Sequence, residues 1–259
     1  MDIERIAFAV ACNDTAVLSR DFLASPDIAA KKYIFALELG MTSAAVTYNV
    51  LLKKLKTDYI VFAHQDVYFP AGWAGLVLDY IDNLNNSGVE WLALGCAGVG
   101  QDAKITGHVW SSSINLLIGE NFKTPVEAQS LDELVLIVNT RHGYKFDENL
   151  PGYHLYGTDI VQSGIKSGLK SFIINAPCIH NDKPKPILGG DYLKAYKYMQ
   201  NKWRKELRIY TTVMPLNKTT FQYHLRNLKQ KRLQLINKIP KSFSGSPRLL
   251  SVKLGFEKE

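Results

Sequence analysis

The chain has 259 residues, 46% of them hydrophobic, which suits one large folded domain, or one domain with an appendage, and makes disorder a poor default. Its net charge of +7 is an uneven average. Residues 1–182 carry 13 Lys/Arg against 20 Asp/Glu, whereas residues 183–259 carry 18 against 4. No apolar run reaches the roughly 18 residues of a membrane span, no basic head precedes an apolar block, and Cys12, Cys96 and Cys178 lie far apart. A signal peptide, a spanning helix, a disulfide framework and a zinc cage are thereby set aside, and a reducing cytoplasm fits.

In chain order, residues 6–11 (Ile-Ala-Phe-Ala-Val-Ala) form a short continuous apolar run, the pattern of a strand buried on both faces of a parallel sheet. Asn13, Asp14 and Thr15 offer capping side chains before a helix carrying Val17, Leu18, Phe22 and Leu23. A second strand spans 33–39, Gly40 ends it, and Thr42 or Ser43 caps a helix with Ala45, Val46, Val50, Leu51 and Leu55 on one stripe. A third strand, 59–63, delivers His64, Gln65 and Asp66 to its carboxyl end. This is a βαβαβ order, and ligands of such sheets bind beyond those strand ends. A helix at 73–84 and a strand at 90–94 follow, then a Gly-rich stretch, 95–107, that suggests a mobile loop. Residues 131–138 suggest one more strand, 155–167 a helix, 172–174 a late strand, and 191–208 and 218–236 two basic helices.

Two phosphate-binding signatures are absent. Gly95-Cys96-Ala97-Gly98-Val99-Gly100 lacks the G-x-G-x-x-G spacing and does not follow the first strand, and no G-x-x-x-x-G-K-[ST] run occurs. What remains is a set of polar residues at strand ends. Asp66 gives Mg²⁺ or Mn²⁺ the hard oxygen ligand these ions prefer, and His180, after another strand, adds a nitrogen that tilts the preference toward Mn²⁺. Taken singly, Asp66 fits a turn or cap residue and His180 a hydrogen-bonded core or surface histidine. Asp159 starts a helix just after the aromatic loop 151–157. It can serve as a general base while Tyr153 or Tyr156 packs on a sugar ring, or it can simply complement the helix dipole.

Three segments resemble a known family. Asp58-Tyr59-Ile60-Val61-Phe62-Ala63-His64-Gln65-Asp66-Val67 is similar to the "dY-x-x-F-x-HqDv" segment of family-2-like GT-A glycosyltransferases of the streptomycin-biosynthesis type. Residues 146–160, Phe-Asp-Glu-Asn-Leu-Pro-Gly-Tyr-His-Leu-Tyr-Gly-Thr-Asp-Ile, resemble their "FDE-x-L-x-G-[FY]-H-x-Y-x-x-D" segment, and His180 matches a later histidine. The resemblance covers roughly residues 5–182. It implies a GT-A-like, Rossmann-type α/β fold with a mixed, mainly parallel sheet flanked by helices. It also implies an inverting transfer from a nucleotide-sugar donor to a glycan or lipid-linked acceptor with Mn²⁺ or Mg²⁺. By position, Asp66 matches the last acid of the metal-binding D-x-D, His180 the late metal or diphosphate ligand, and Asp159 the catalytic base. Asn13, Glu38 and Asn49 face the nucleoside, with His64 and Gln65 beside the donor and Tyr153, His154 and Tyr156 beside the acceptor. Lys183 and Lys185 are placed to close on the diphosphate, or else belong to a solvated linker. His64 departs from the pattern by replacing the first acid of the D-x-D, so a single carboxylate remains.

The division expected is a catalytic domain over 1–182 and a basic, mainly helical C-terminal extension over 183–259. Such an extension suits an anionic lipid surface, nucleic acid or an acidic polymer, or is a solvated helical face. Tyr192, Tyr196, Tyr198, Trp203, Tyr210, Phe221 and Tyr223 interleave its charges and could stack on bases. Their helical spacing favours packing against the body and makes nucleic acid the weaker partner. The localisation expected is cytoplasmic, with peripheral contact at the inner face of a membrane.

Overall fold

The computed structural model describes residues 4–184, 187–235 and 245–258. Its strands are β1 (Ile6–Cys12), β2 (Ile34–Leu39), β3 (Tyr59–His64), β4 (Val67–Tyr68), β5 (Trp91–Gly95), β6 (Ala97–Gly100), β7 (Ile105–Ser111), β8 (Leu116–Gly119), β9 (Val126–Leu131), β10 (Val135–Asn139), β11 (Lys170–Ile173) and β12 (Cys178–His180). The helices are α1 (Thr15–Arg20), α2 (Pro26–Ala29), α3 (Ala44–Lys54), α4 (Trp73–Asn86), α5 (Tyr156–Lys166), α6 (Gly190–Lys202), α7 (Phe221–Leu235) and α8 (Pro247–Lys253). The strands join in one curled mixed sheet in the order β2-β1-β3-β10-β5-β11-β9-β6-β7-β12-β4, with β8 alongside β7. β1, β2 and β3 are parallel neighbours, as the βαβαβ order requires, and antiparallel β10 then separates β3 from β5.

The apolar runs of β1, β3 and β10 are continuous because both sheet faces are covered. Ala7, Ala9, Ile60, Phe62, Leu136 and Val138 pack with Tyr48 and Leu51 of α3, Tyr156 and Ile160 of α5, and Tyr192, Tyr196 and Met199 of α6. Ile6, Phe8, Val10, Val61, Val135 and Ile137 pack on the other face with Leu18 of α1 and Trp73, Val77 and Ile81 of α4. Neighbouring residues alternate between the two clusters, the period of two of a strand. The C-terminal extension contributes to the first cluster as well, through Ile209, Met214, Leu216 and Tyr223. Tyr192, Ala195, Tyr196 and Met199 are its buried stripe at helical spacing.

Several local expectations change. The stretch 95–107 is not a mobile loop: it ends β5, forms β6 and enters β7. Its glycines serve close packing, since a Cβ on Gly98 would sit 2.4 Å from the Ser130 carbonyl oxygen and one on Gly107 2.8 Å from the Ala97 side chain. The single strand expected over 131–138 is split between β9 and β10. Asp132 breaks it by accepting the Leu134 backbone N–H at 3.1 Å, an Asx turn that carries Asp132 and Glu133 out of the ladder. The helix expected over 191–208 stops at Lys202, and α8 was not foreseen.

Candidate active site

The carboxyl ends of β1, β2 and β3 open into a pocket lined by Ala11, Cys12, Asn13, Gly40, Met41, Tyr48, His64, Gln65, Asp66 and Tyr153. Its empty space, with the solvent at its open mouth included, is about 660 Å³. Gln65 shapes its floor. Its Oε1 accepts the backbone N–H groups of Asn13 and Asp14 at 2.9 and 3.0 Å, and its Nε2 donates to Asn13 Oδ1 at 2.6 Å. The loop after β1 is thus tied to the turn after β3.

One potential ligand atom from each of His64, Asp66 and His180 lies within 4.8 Å of the others. The two-residue ladder between β4 and β12, with His180 opposite Val67, brings these distant positions together, and the Asn181 N–H bonds the Asp66 carbonyl at 2.8 Å. His180 Nε2 stands 3.4 Å from Asp66 Oδ1, while Asp182 Oδ1 stands 3.9 Å from His180 Nδ1. Burial disfavours a charge on His180, but Asp66, Asp182 and Asp132 outweigh it and raise the imidazole to about 10. Burial also works against an ionised Asp66, yet His180 and then His64 hold it well below the usual carboxylate range.

His64 is held by a relay. Tyr156 donates its hydroxyl to the Glu133 carbonyl at 2.9 Å, so its oxygen accepts from His64 Nε2 at 3.0 Å. Burial keeps His64 neutral by lowering its basicity. That network places the ring proton on Nε2 and leaves the Nδ1 lone pair for a ligand. The residues therefore fit a divalent cation that displaces the His180 proton: two imidazoles and a carboxylate, two of the three backed by orienting groups. The span of 4.8 Å slightly exceeds twice a metal–ligand bond of roughly 2.1 Å, which a small side-chain rotation closes.

Of the other residues singled out from the sequence, Tyr153 lines the pocket and the rest fall outside its lining. Glu38 is paired with Lys54 Nζ. Asn49 is spent on the opposite loop, donating to the Phe146 carbonyl and Glu148 Oε1 and accepting from the Phe146 N–H, each at 2.9 Å, so a nucleoside contact is not open to it. Tyr153 lines the pocket and donates to the Met41 carbonyl at 3.0 Å. His154 packs on Tyr192 with ring centroids 5.3 Å apart and lines a neighbouring hollow with Thr42, Asp191 and Lys194. Tyr156 is fully buried, which corrects its expected acceptor contact: it orients His64 instead. Lys183 is exposed and not among the pocket's lining residues, and Lys185 lies outside the described residues.

Asp159 is held by the C-terminal extension. It is 1% exposed, Lys202 Nζ sits 2.8 Å from its Oδ1, its Oδ2 accepts from Lys202 at 2.9 Å, and Trp203 Nε1 donates to Oδ1 at 2.8 Å. Burial raises its carboxyl above the ordinary value even against Lys202. Both of its oxygens thus accept from the C-terminal extension. The acids that sequence reasoning missed are Asp132 and Glu133. Asp132 bears on both site histidines, and Glu133, pushed up to about 8 by burial and then by Asp132, sits beside Leu155 and Tyr156. Their signal was two adjacent acids interrupting an apolar run.

No family model and no curated protein matches the chain. Among solved structures it is similar to GalNAc-T7 with UDP, GalNAc and Mn²⁺, at 12% identity and a TM-score of 0.52, over 78% of this chain and 49% of that one. It is also similar to S. aureus TarS, at 10% identity and a TM-score of 0.50, over 79% of this chain and 40% of that one. The chain spans half or less of the length of either. At such identities the likeness establishes the architecture, which is that of a GT-A-like glycosyltransferase fold. Among the described residues no helix is long and apolar enough to cross a membrane.

Proposed function

We propose that the chain is a nucleotide-sugar-dependent glycosyltransferase of the inverting kind, acting on a glycan or lipid-linked acceptor. The observation that carries this reading is the His64–Asp66–His180 cluster at the mouth of a pocket built by the ends of β1, β2 and β3. The fold shared with GalNAc-T7, whose structure contains UDP and Mn²⁺, supports it. A divalent cation there supplies a positive charge for the diphosphate oxygens as the sugar–phosphate bond breaks. Two imidazoles favour Mn²⁺ over Mg²⁺. The same donor set suits Zn²⁺ and Fe²⁺ too, and the adjoining open pocket at the strand ends is what favours a phosphate-bound ion.

In this reading Asn13 and Gln65 form the nucleoside side, His64, Asp66 and His180 the diphosphate side, and Tyr153 the rim toward the acceptor. The acceptor hydroxyl passes its proton to a carboxylate of the segments packed behind the pocket. Asp159 fills that role once Lys202 releases it, and Glu133 is the second carboxylate of those segments. Asp159→Asn separates them. A loss of roughly 10²- to 10⁴-fold in transfer of labelled sugar, with donor binding intact, assigns the base to Asp159, and retained transfer moves it to Glu133. A thermal-shift screen of UDP-, GDP-, CMP- and dTDP-sugars with and without Mn²⁺ tests the whole reading, because a bound ligand raises the melting temperature. No stabilisation by any donor contradicts it.

A further inference from the structure

The helix α7 has two unlike faces. Tyr223 and Asn227 point to the body: the Tyr223 hydroxyl donates to the Leu188 carbonyl at 2.9 Å, and Asn227 both accepts from and donates to the Leu188 backbone, at 3.0 and 2.9 Å. Tyr223 also stacks on Tyr192 with ring centroids 6.4 Å apart and planes within 7°. The opposite face carries Phe221, Leu225, Leu228 and Leu235, exposed by 68, 54, 66 and 85%. At 3.6 residues per turn these four fall on one side of the helix, so they form a single apolar row. Exposed Lys229 and Lys231 flank that row and exposed Arg232 lies within it. No acid occurs in α7, nor anywhere between Glu206 and Glu257 in the sequence. At the foot of the row, exposed Arg208 and Lys218 line a hollow together with Phe221.

We infer that this face docks on an anionic lipid surface, with the apolar row entering the headgroup boundary and the basic residues meeting lipid phosphates. An apolar stripe edged only by positive charge fits that interface in both respects. Apolar area and attraction to anionic lipid add there, whereas burying the row in water-free contact with a second copy would set Lys229, Lys231 and Arg232 against one another. The helix is long enough to lie in the plane and, within the described residues, no helix spans a membrane. Its seat also places it next to the site. Tyr223 packs on Tyr192, and Tyr192 packs on His154 of the loop that continues to Tyr153 at the pocket rim. An acceptor presented from a lipid surface would then approach on the side of that loop.

Co-sedimentation of the full chain with vesicles tests this without any donor, so its failure is separate from failure of the transferase reading, which is scored by donor binding in vesicle-free solution. Vesicles containing phosphatidylglycerol should pellet the protein at low salt, and phosphatidylcholine alone should pellet roughly tenfold less or worse. Leu225→Glu with Leu228→Glu, and separately Lys229→Glu with Lys231→Glu, should each weaken binding to the anionic vesicles by roughly tenfold or more. Their melting temperatures should stay unchanged, because these side chains are exposed. No pelleting with either vesicle, pelleting unchanged in the variants, or a vesicle-free dimer that the substitutions dissolve would each overturn the assignment.

Discussion

Two walls of the molecule, one lining the pocket and one packed behind it, are built on different principles. The wall formed by the ends of β1, β2 and β3 is local in sequence: each polar residue sits within a few positions of the strand that carries it, so the parallel register fixes Asn13, His64, Gln65 and Asp66 together. The wall behind it is assembled from residues 132–133, 153–159 and 190–203, of which Tyr153 lines the pocket, and these meet only after the C-terminal segment folds back onto the sheet. The first wall is therefore a property of the sheet, and the second a property of the whole chain. Perturbations should separate them in the same way.

The largest expected effect lies in the second wall. Trp203 is 4% exposed in the core and donates to Asp159, so Trp203→Ala leaves a cavity and strips a buried carboxylate of a donor. It should cost about 3–5 kcal/mol in denaturant unfolding. A cost below about 1 kcal/mol would mean that the extension is not part of the core. Next is the link between the walls. Tyr156→Phe removes the oxygen that accepts from His64 Nε2 and the hydroxyl that donates to Glu133, and it should weaken Mn²⁺ binding by roughly 10- to 100-fold in calorimetry. Unchanged affinity would show that His64 is oriented by something else.

The smallest effect concerns pH. Glu133 is held near 8 in the folded chain and ionises near 4.5 in the unfolded one, so between those values the unfolded state binds fewer protons and stability falls as pH rises. Glu133→Gln carries no such proton and can keep the Leu155 contact. Its melting temperature relative to the wild type should therefore rise from pH 5 to pH 8, by roughly 2–4 °C per kcal/mol in a chain of this size. A difference that stays flat with pH would place the carboxyl in water.

The same contrast decides what could be read from the sequence. The βαβαβ order, the mixed α/β architecture and the delivery of His64-Gln65-Asp66 beyond β3 follow from contiguous apolar runs and are visible in one dimension. The seat of Asp159 is not, because its partners Lys202 and Trp203 are more than forty positions away and joined to it only by tertiary packing. Asn49 misled for a related reason: a helix asparagine near a pocket looks available until the Phe146 loop that consumes both ends of its amide is in place. His64 looked like the loss of an acid, and its value as a nitrogen donor depends on Tyr156, ninety-two positions away. The glycines of 95–107 signalled mobility in sequence and close strand packing in three dimensions, since glycine supplies either.

In the proposed function His64, Asp66 and His180 would hold a divalent ion to which a nucleotide diphosphate binds. Titration of UDP into the protein with and without Mn²⁺, for the wild type and His180→Ala, tests it directly. Each ligand should tighten the other by about tenfold or more in the wild type, and the coupling should disappear in the variant while nucleotide binding without metal remains. Equal UDP affinity with and without Mn²⁺ in the wild type, or coupling undiminished in His180→Ala, would contradict it.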